Sequence, residues 1–353
     1  MDIKIRKILL LVVLLIIFQG DSYSQKLQPP DYGMYHGAFP DMGATEDSVT
    51  AERILAFDSL TSNSAIWVYF SNNWFKGIKF PQKEVETISA LDKIPFIRMM
   101  PRSGFIENKQ DPVYTMQKII DGKFDKELIQ YAKNVKNFGK PLIIEFGTEV
   151  NGDWFSWNGK YNGGEEKNNY GNPEIPDGPE RFCDAYKHII NIFRAENANN
   201  VTWVYHVSDN SSPEDDWNSM LAYYPGDDFI DWIGVSIYGS QEPGEQWNSF
   251  TDLMDKCYGE LCGISRTKPL AVLEFGVIED PVMGNKAKWN QDALQSLRDN
   301  KYSRVKALSY WHSIWQDENG NFINMRLDSS PGSIKTYKRL VNDEFFKPKA
   351  VFK

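Results

Sequence analysis

The sequence has little cysteine and histidine and no excess of positive charge. Its 353 residues include 3 Cys and 4 His, and 48 Asp and Glu residues outnumber 39 Lys and Arg residues, which gives a formal net charge of −9. Nucleic-acid binding requires a basic surface that displaces counterions from phosphates, so the acidic balance argues against that class of function. The sequence also lacks an HExxH motif, a cysteine pattern with zinc spacing and a Gly-rich phosphate loop. We therefore expect no metal ion and no organic cofactor.

Long apolar runs are missing as well, except for one near the N-terminus. Ile8–Phe18 is apolar throughout and follows the basic stretch Met1–Lys7. Such a run is too short to cross a bilayer as a helix and is typical of a secretory signal peptide. The sequence thus predicts a signal peptide over residues 1–24. The mature chain, residues 25–353, is expected to be secreted or periplasmic and not bound to a membrane.

The three cysteines allow two interpretations. Cys257 and Cys262 lie five residues apart, and in an oxidising compartment they can close a small disulfide loop. Both can equally be packed thiols, and the sequence leaves this choice open. Cys183 lies within an amphipathic helical pattern and is expected to be a buried thiol.

Short apolar runs alternate with longer amphipathic segments along the chain. Eight runs have the length and composition of buried strands, and helical spacing occurs between them. Eight strands, each followed by a helix, are typical of a (β/α)8 TIM barrel, and no low-complexity linker divides the chain, so we expect one domain. A doubly wound open sheet is the alternative, but the phosphate loop that follows its first strand is missing. The predicted strands are Tyr32–Phe39, Ala65–Phe70, Ile94–Met100, Pro141–Phe146, Val201–His206, Asp231–Tyr238, Pro269–Phe275 and Val305–Trp311, and the predicted helices include Asp125–Phe138, Glu180–Glu196, Gln246–Cys262 and Lys286–Asp299.

Two of the predicted strands lead into carboxylates. Glu274 stands at the end of the seventh strand, and Glu149 stands in the loop after the fourth strand, close to Glu145. The active site of a barrel lies at the carboxyl ends of its strands, so Glu149 and Glu274 are expected to face each other across the mouth. Two carboxylates that flank a glycosidic bond are the machinery of a glycoside hydrolase. Burial and mutual repulsion then raise the pKa of one of them.

Several ordered motifs resemble glycoside hydrolase family 26, whose members are mainly endo-β-1,4-mannanases beside mixed-linkage β-glucanases and β-1,3-xylanases. The resemblance covers about residues 30–345 and is specific through the combination of motifs. It implies a (β/α)8 barrel that hydrolyses a β-linked polysaccharide by a retaining double displacement. The motifs are Glu149-x-Asn151-Gly152-x-Trp154-x-x-Trp157, Asn200–Val204, Asp231–Val235 with Tyr238, Lys268–Gly276 and Arg326–Pro331.

The resemblance also implies roles for individual residues. Glu149 takes the position of the acid/base and Glu274 that of the nucleophile. Tyr238 takes the position of a hydrogen-bond partner of the nucleophile, and Trp311 that of the sugar platform beside the cleavage point. Retention predicts that the two carboxyl groups lie about 5–5.5 Å apart.

Six further residues are candidates for contacts with the substrate. Tryptophans in a Gly- and Asn-rich loop favour sugar binding, because such a loop has little core to join. A histidine at a strand end can hydrogen-bond a sugar hydroxyl, although a packed neutral imidazole is an equal alternative, and core packing is as plausible for the tryptophan after the second strand. The candidates are Thr148, Asn151, Trp154, Trp157, His206 and Trp74.

Two positions depart from the usual mannanase pattern of the family. Thr148 stands where that pattern has a histidine before the acid/base, and Glu145 stands where it has an arginine. An added carboxylate beside two catalytic ones needs a cation, which Arg98 or Arg102 can supply; without one, Glu145 is expected to be protonated or to point elsewhere. We rank β-1,4-mannan first as substrate, with mixed-linkage β-1,3-1,4-glucan and β-1,3-xylan as alternatives. The least favoured alternative for the function is a noncatalytic glycan-binding barrel. We expect a monomer that cleaves within the polymer.

Overall fold

The computed structural model describes residues 25–106, 108–316, 320 and 322–353. The signal peptide expected over residues 1–24 lies outside the described residues and stays a prediction. Within the described ranges, no helix combines the length and the apolar character that a membrane span requires.

Eight parallel strands form one closed barrel: β1 (Met34–Pro40), β2 (Trp67–Asn73), β3 (Ile94–Met100), β4 (Leu142–Phe146), β5 (Val201–Ser208), β6 (Trp232–Tyr238), β7 (Leu270–Gly276) and β8 (Val305–His312). Each strand pairs with the next along the chain, and β8 pairs with β1 in a register that aligns Ala307 with Tyr35. This closing pair confirms the (β/α)8 barrel predicted from the sequence.

Eight α-helices occur in the described part of the chain: α1 (Ala51–Thr61), α2 (Gln82–Ser89), α3 (Met116–Ile120), α4 (Asp125–Phe138), α5 (Asp177–Ala195), α6 (Phe250–Ile264), α7 (Lys286–Arg298) and α8 (Pro331–Val341). The prediction of a helix after every strand is wrong at one place. The connection from β5 to β6 contains only the 3-10 turn Asp216–Asn218. This segment is rich in Asp, Asn, Ser and Pro, which favour turns over helices.

Short elements complete the fold. Leu27–Gln28 pairs antiparallel with Val351–Phe352, and Phe346–Lys347 adds to the edge of β1. Ile314–Gln316 and Phe322–Asn324 form an antiparallel pair after β8. The remaining 3-10 turns are Trp74–Lys76, Gly159–Tyr161 and Leu327–Ser329.

The barrel strands are buried almost throughout, because helices cover the outer face and side chains fill the interior. The interior is apolar over most of its length, but polar side chains occupy it towards the carboxyl ends of the strands. Since six of the eight strands contribute one such residue each, side chains from distant parts of the sequence meet at this end. They are Tyr69 from β2, Arg98 from β3, Glu145 from β4, His206 from β5, Ser236 from β6 and Glu274 from β7.

The cysteines are free thiols. Cys183 and Cys257 are buried, and Cys262 is half-buried on the same helix, α6, as Cys257. Residues five apart on a helix point about 140° away from each other, because each residue turns the helix by about 100°. The disulfide that the sequence left open is therefore not formed in this structure, and the packed-thiol alternative describes the pair.

Candidate active site

The acid/base candidate sits on a left-handed turn directly after β4. Gly147 and Glu149 have φ values of 66° and 49°, and the Gly152 amide closes the turn on the Glu149 carbonyl. A positive φ is uncommon for residues other than glycine and costs backbone energy, so such residues concentrate at functional sites. The turn carries Glu149 out of the strand, and its side chain is half-buried at the barrel mouth. Nε1 of Trp154 lies 2.9 Å from Oε2 of Glu149 and donates a hydrogen bond to it.

The nucleophile candidate is held at both oxygens. Glu274 lies near the end of β7 and is 4% exposed. The Tyr238 hydroxyl donates to its Oε2 at 2.9 Å, and Nη2 of Arg98 lies 3.1 Å from its Oε1. The Tyr69 hydroxyl is 3.3 Å from the same Oε1. These contacts fix the carboxyl group from three strands: β6 beside β7, and β2 and β3.

The pKa of Glu274 depends on the charge of Glu149. Burial raises the pKa of Glu274 to about 7, with Arg98 opposing the rise and the charge of Glu149 adding to it. Glu274 therefore keeps its proton up to about neutral pH, and the charge of Glu149 contributes to this. The sequence led us to expect a raised pKa at one member, and the raised value is at Glu274.

A third acidic group lies beside Glu149. Asp209 directly follows β5, and burial raises its pKa to about 7, with the charge of Glu149 as the next cause. The family motifs do not include Asp209. Its position in the sequence does indicate the site, because it is a charged residue shortly after the carboxyl end of a predicted barrel strand.

His206 lies below the site rather than in the cleft. It is 2% exposed; its Nδ1 is 2.9 Å from Oε2 of Glu145 and 2.8 Å from the Thr148 hydroxyl, and its Nε2 is 2.9 Å from the Ser236 hydroxyl. Burial works to lower its pKa, but the charge of Glu145 and the hydrogen bond to it prevail and raise the pKa. His206 is thus enclosed by Glu145, Thr148 and Ser236, and its contact with a sugar stays a prediction.

Arg98 supplies the cation that Glu145 requires. Nε of Arg98 lies 3.4 Å from Oε1 of Glu145, and Tyr69 donates a hydrogen bond to the same oxygen. Burial works to raise the pKa of Glu145, but the charge and hydrogen bond of His206 and the charge of Arg98 lower it, so the carboxylate is ionised. Arg102 instead donates to Asn73.

Four predicted substrate contacts are corrected by burial. Trp74, Thr148, Asn151 and Trp157 are fully enclosed, so none of them reaches a polysaccharide in this structure. They support the loops of the site instead: the Trp157 indole donates to the Thr148 carbonyl, and the Asn151 amide bridges to the backbone of Ser208. The Trp157 indole thus satisfies a carbonyl of the tight turn after β4, and the Asn151 amide ties this turn to the end of β5.

Two of the predicted aromatic contacts remain candidates. Trp154 is half-buried and reaches Glu149. Trp311, near the end of β8, is 6% exposed and stacks on Phe39 with ring centroids 3.8 Å apart. The guanidinium of Arg98 lies 5.1 Å from the centre of the Trp311 ring. The ring is thus next to the residue that contacts Glu274.

No group of three or more His, Cys, Asp or Glu side chains in the described ranges has an arrangement that fits a metal ion. Among the carboxyl groups near the mouth, Glu145 is paired with two cationic side chains. The remaining arrangement offers one carboxyl group, Glu274, held at both oxygens, and a second, Glu149, on the left-handed turn after β4, whose charge acts on the first. Such a pair can transfer a proton and attack a carbon centre.

Comparisons with known proteins place this geometry in a family. Residues 109–317 match the model of glycosyl hydrolase family 26. The chain is 32% identical over 231 residues to Endoglucanase H of Acetivibrio thermocellus, a match that covers 65% of this chain and 23% of that protein. It is 19% identical over 220 residues to the β-1,3-xylanase TXYA of a Vibrio species, covering 58% and 42%. The chain thus spans less than half the length of these curated relatives.

Solved structures agree in fold. The Bacillus subtilis mannanase man26 has a TM-score of 0.57 to this chain at 18% sequence identity, with 89% of this chain and 86% of that chain covered. Since the family model matches more than half of the sequence and the barrel is that of the family's solved members, the chain belongs to glycosyl hydrolase family 26.

Proposed function

We propose that this protein is a retaining endo-β-glycanase in which Glu149 is the acid/base and Glu274 the nucleophile. The observation that carries the proposal is the state of Glu274, whose two oxygens are held by Tyr238 and Arg98 while its pKa responds to the charge of Glu149. A carboxylate held at both oxygens next to a second carboxyl group is what a double displacement needs. A retaining mechanism is also typical of the family.

The proposed reaction has two steps. Glu149 gives its proton to the departing glycosidic oxygen while a carboxylate oxygen of Glu274 bonds to the anomeric carbon. Water then attacks the same carbon with Glu149 as base, which breaks the ester bond to Glu274 and restores the proton on Glu149. Two inversions retain the anomeric configuration, and the reaction requires the carboxyl groups to lie about 5–5.5 Å apart.

For the substrate we favour a β-glucan, with mixed-linkage β-1,3-1,4-glucan as the form to test first. The relative named Endoglucanase H is more similar in sequence than the β-1,3-xylanase. Thr148 is buried against His206, so this position offers the sugar no imidazole of the kind in the mannanase pattern. The ordered family motifs that ranked β-1,4-mannan first keep mannan as the second candidate.

The remaining parts of the proposal concern location and mode of action. The basic and apolar start of the sequence supports export, and we propose that the mature chain is secreted or periplasmic. The half-buried Trp154 and the loops around the barrel mouth support cleavage within a polymer rather than from its ends. We propose that the mature chain acts as a monomer.

The experiment is a panel of polysaccharides incubated with purified protein that lacks residues 1–24. The panel contains barley-type β-glucan, β-mannan, xylans including β-1,3-xylan, and laminarin, and the products are sized over time. We expect oligosaccharides of mixed length from β-glucan at the earliest times. Release of single sugars alone would contradict the endo mode, and faster cleavage of mannan would favour the second candidate.

Glu274→Ala separates the enzyme from a noncatalytic glycan-binding barrel. An enzyme loses hydrolysis in this variant and keeps its affinity for the polymer. A binding protein behaves identically before and after the change, because it hydrolyses nothing in either form. Affinity electrophoresis in gels that contain the glycan gives the binding readout for both proteins.

A further inference from the structure

One guanidinium lies buried among three carboxylates at the barrel mouth. Arg98 is 3% exposed, with Nη1 2.8 Å from Oε2 of Glu46, Nη2 3.1 Å from Oε1 of Glu274 and Nε 3.4 Å from Oε1 of Glu145. The planar guanidinium directs its N–H groups rigidly, which a lysine ammonium does not. The position of Arg98 therefore determines where Oε1 of Glu274 lies.

Glu145 pairs with this guanidinium through charge, without a hydrogen bond to its Nε. Glu145 lies opposite Arg98 in the pairing of β3 with β4, and only 1% of it is exposed, so it does not reach a sugar. Its Oε2 faces Nδ1 of His206 at 2.9 Å, and His206 is tied in turn to Ser236. A buried carboxylate is stable only when it is paired, and here both of its oxygens face cationic groups.

We propose that Arg98 is the positioning residue that keeps the carboxylate of Glu274 in place for attack, and that Glu145 with His206 fixes Arg98 from behind. The inference rests on the proposed function, in which Glu274 is the nucleophile. Tyr238 holds Oε2 and Arg98 holds Oε1, so the carboxylate cannot turn about its last bond. A reacting group that is held in its productive orientation reacts faster, because that orientation need not be found during the reaction.

The charged and titratable groups that face Glu274 come from six places around the barrel. Arg98 and His206 lower its pKa, whereas Glu149 and Glu145 raise it. Tyr238 and Tyr69 contact it as phenols, and Glu46 shares Arg98 with it from the loop after β1. Removing the charge of Arg98 therefore raises the pKa of Glu274.

The test measures that pKa directly, by ¹³C NMR of protein labelled at the glutamate carboxyl carbons, with Glu274→Gln to assign the signal. We expect Arg98→Gln to raise the pKa of Glu274 by about 1–3 units, the usual effect of an adjacent arginine on a carboxyl group. Arg98→Lys keeps a positive charge but loses the planar guanidinium, and we expect a smaller rise in the pKa of Glu274. On the glycan that the wild type cleaves, we expect Arg98→Lys to lower kcat by about 100-fold with KM within about threefold, because Arg98 is buried below the sugar.

Lys93→Gln is the matched control. Lys93 is a buried cation that immediately precedes β3, and its Nζ lies 2.7 Å from Oδ2 of Asp58. This variant also breaks a buried ion pair next to the same strand, but at the end away from the site. It is expected to lower the midpoint of thermal unfolding and to leave both kcat and the pKa of Glu274 unchanged.

Glu145→Gln extends the test should the Arg98 variants fail to fold. We expect kcat to fall about tenfold with KM little changed, because Arg98 and His206 lose their shared partner. An unchanged pKa of Glu274 in Arg98→Gln, or wild-type kcat in Glu145→Gln, would overturn the inference. A wild-type protein that cleaves no glycan contradicts the proposed function instead, and the NMR measurement still tests how Arg98 acts on Glu274.

Discussion

The indole N–H of Trp154 donates a 2.9 Å hydrogen bond to Oε2 of Glu149, five residues earlier on the same loop. The left-handed conformation of Glu149 makes this contact possible, because it turns the side chain back towards the following residues. The acid/base candidate is thus oriented by a side chain that is itself partly exposed at the barrel mouth. A substrate that packs on Trp154 would therefore contact the same side chain that orients Glu149, the proton donor.

Trp154→Phe keeps an aromatic ring and removes the donor to Glu149. We expect kcat on the polysaccharide to fall by about tenfold, the size of one lost hydrogen bond to a charged group. An aryl glycoside with a good leaving group needs little protonation, so its kcat should fall much less. Trp157→Phe is the control, since its indole donates only to the Thr148 carbonyl. Equal losses on both substrates would contradict the role of Trp154 in orienting Glu149.

Trp157 and Trp154 should differ in what they contribute to stability. Trp157 is fully buried and stacks on Phe155 with ring centroids 4.3 Å apart, whereas Trp154 is half-buried. Trp157→Ala leaves a cavity and an unpaired carbonyl, and we expect it to lower the free energy of unfolding by about 3–5 kcal/mol. Trp154→Ala should cost clearly less. Denaturant unfolding of both variants measures the difference, and a larger loss in Trp154→Ala would contradict the burial of Trp157.

The pH dependence follows from the coupling of the two carboxyl groups. The pKa of Glu274 is raised to about 7 by burial, opposed by Arg98 and increased further by Glu149. Below that pH Glu274 carries a proton and cannot attack the anomeric carbon, so kcat/KM on the cleaved glycan should rise as pH increases through about 7. A kcat/KM that stays constant across this range would contradict the raised pKa of Glu274.

Glu149→Gln isolates the repulsion. The variant removes a negative charge next to Glu274, so the pKa of Glu274 should fall, and an aryl glycoside that needs no proton donor should be attacked at lower pH than by the wild type. The pH profile of glycosylation on such a substrate is the measurement. A profile that stays in place or moves to higher pH would show that the two carboxyl groups do not interact.

Tyr238→Phe removes the donor to Oε2 of Glu274 without changing the shape of the side chain. A hydrogen bond to the charged form stabilises it, so its loss should raise the pKa of Glu274 and lower kcat by about tenfold. Tyr310→Phe removes another buried hydroxyl, one that donates to the Met325 carbonyl, and should leave both quantities unchanged. The same response in the two variants would mean that Tyr238 acts only through packing.

The barrel can be predicted from the sequence because its strands are buried on both faces and appear as continuous apolar runs. Ile94–Met100 and Asp125–Phe138 have the bounds that their patterns predicted, and the other barrel strands differ by a few residues at their ends. The connection from β5 to β6 was mispredicted as a helix, because the rule of one helix per strand was applied where turn-forming residues prevail.

The site can be predicted only in part, because the sequence does not show which side chains of a loop are buried. Trp157 and Trp154 occupy one loop and have the same residue type, yet one supports the turn and the other borders the cleft. The pairing of Glu145 with Arg98 and His206 joins three strands. Such contacts depend on register and on the closure of the barrel, which local patterns do not encode.

The central claim is that Glu274 bonds to the sugar, and an activated 2-deoxy-2-fluoro glycoside of the preferred sugar tests it most directly. Such a compound forms the glycosyl-enzyme faster than water removes it, so the labelled protein can be digested and the modified peptide sequenced by mass spectrometry. We predict one sugar per chain, on the peptide that contains Glu274, and no labelling of Glu274→Ala. A label on Glu149 or Glu145, or steady turnover of the compound with inversion of the anomeric centre and no label, would contradict the claim.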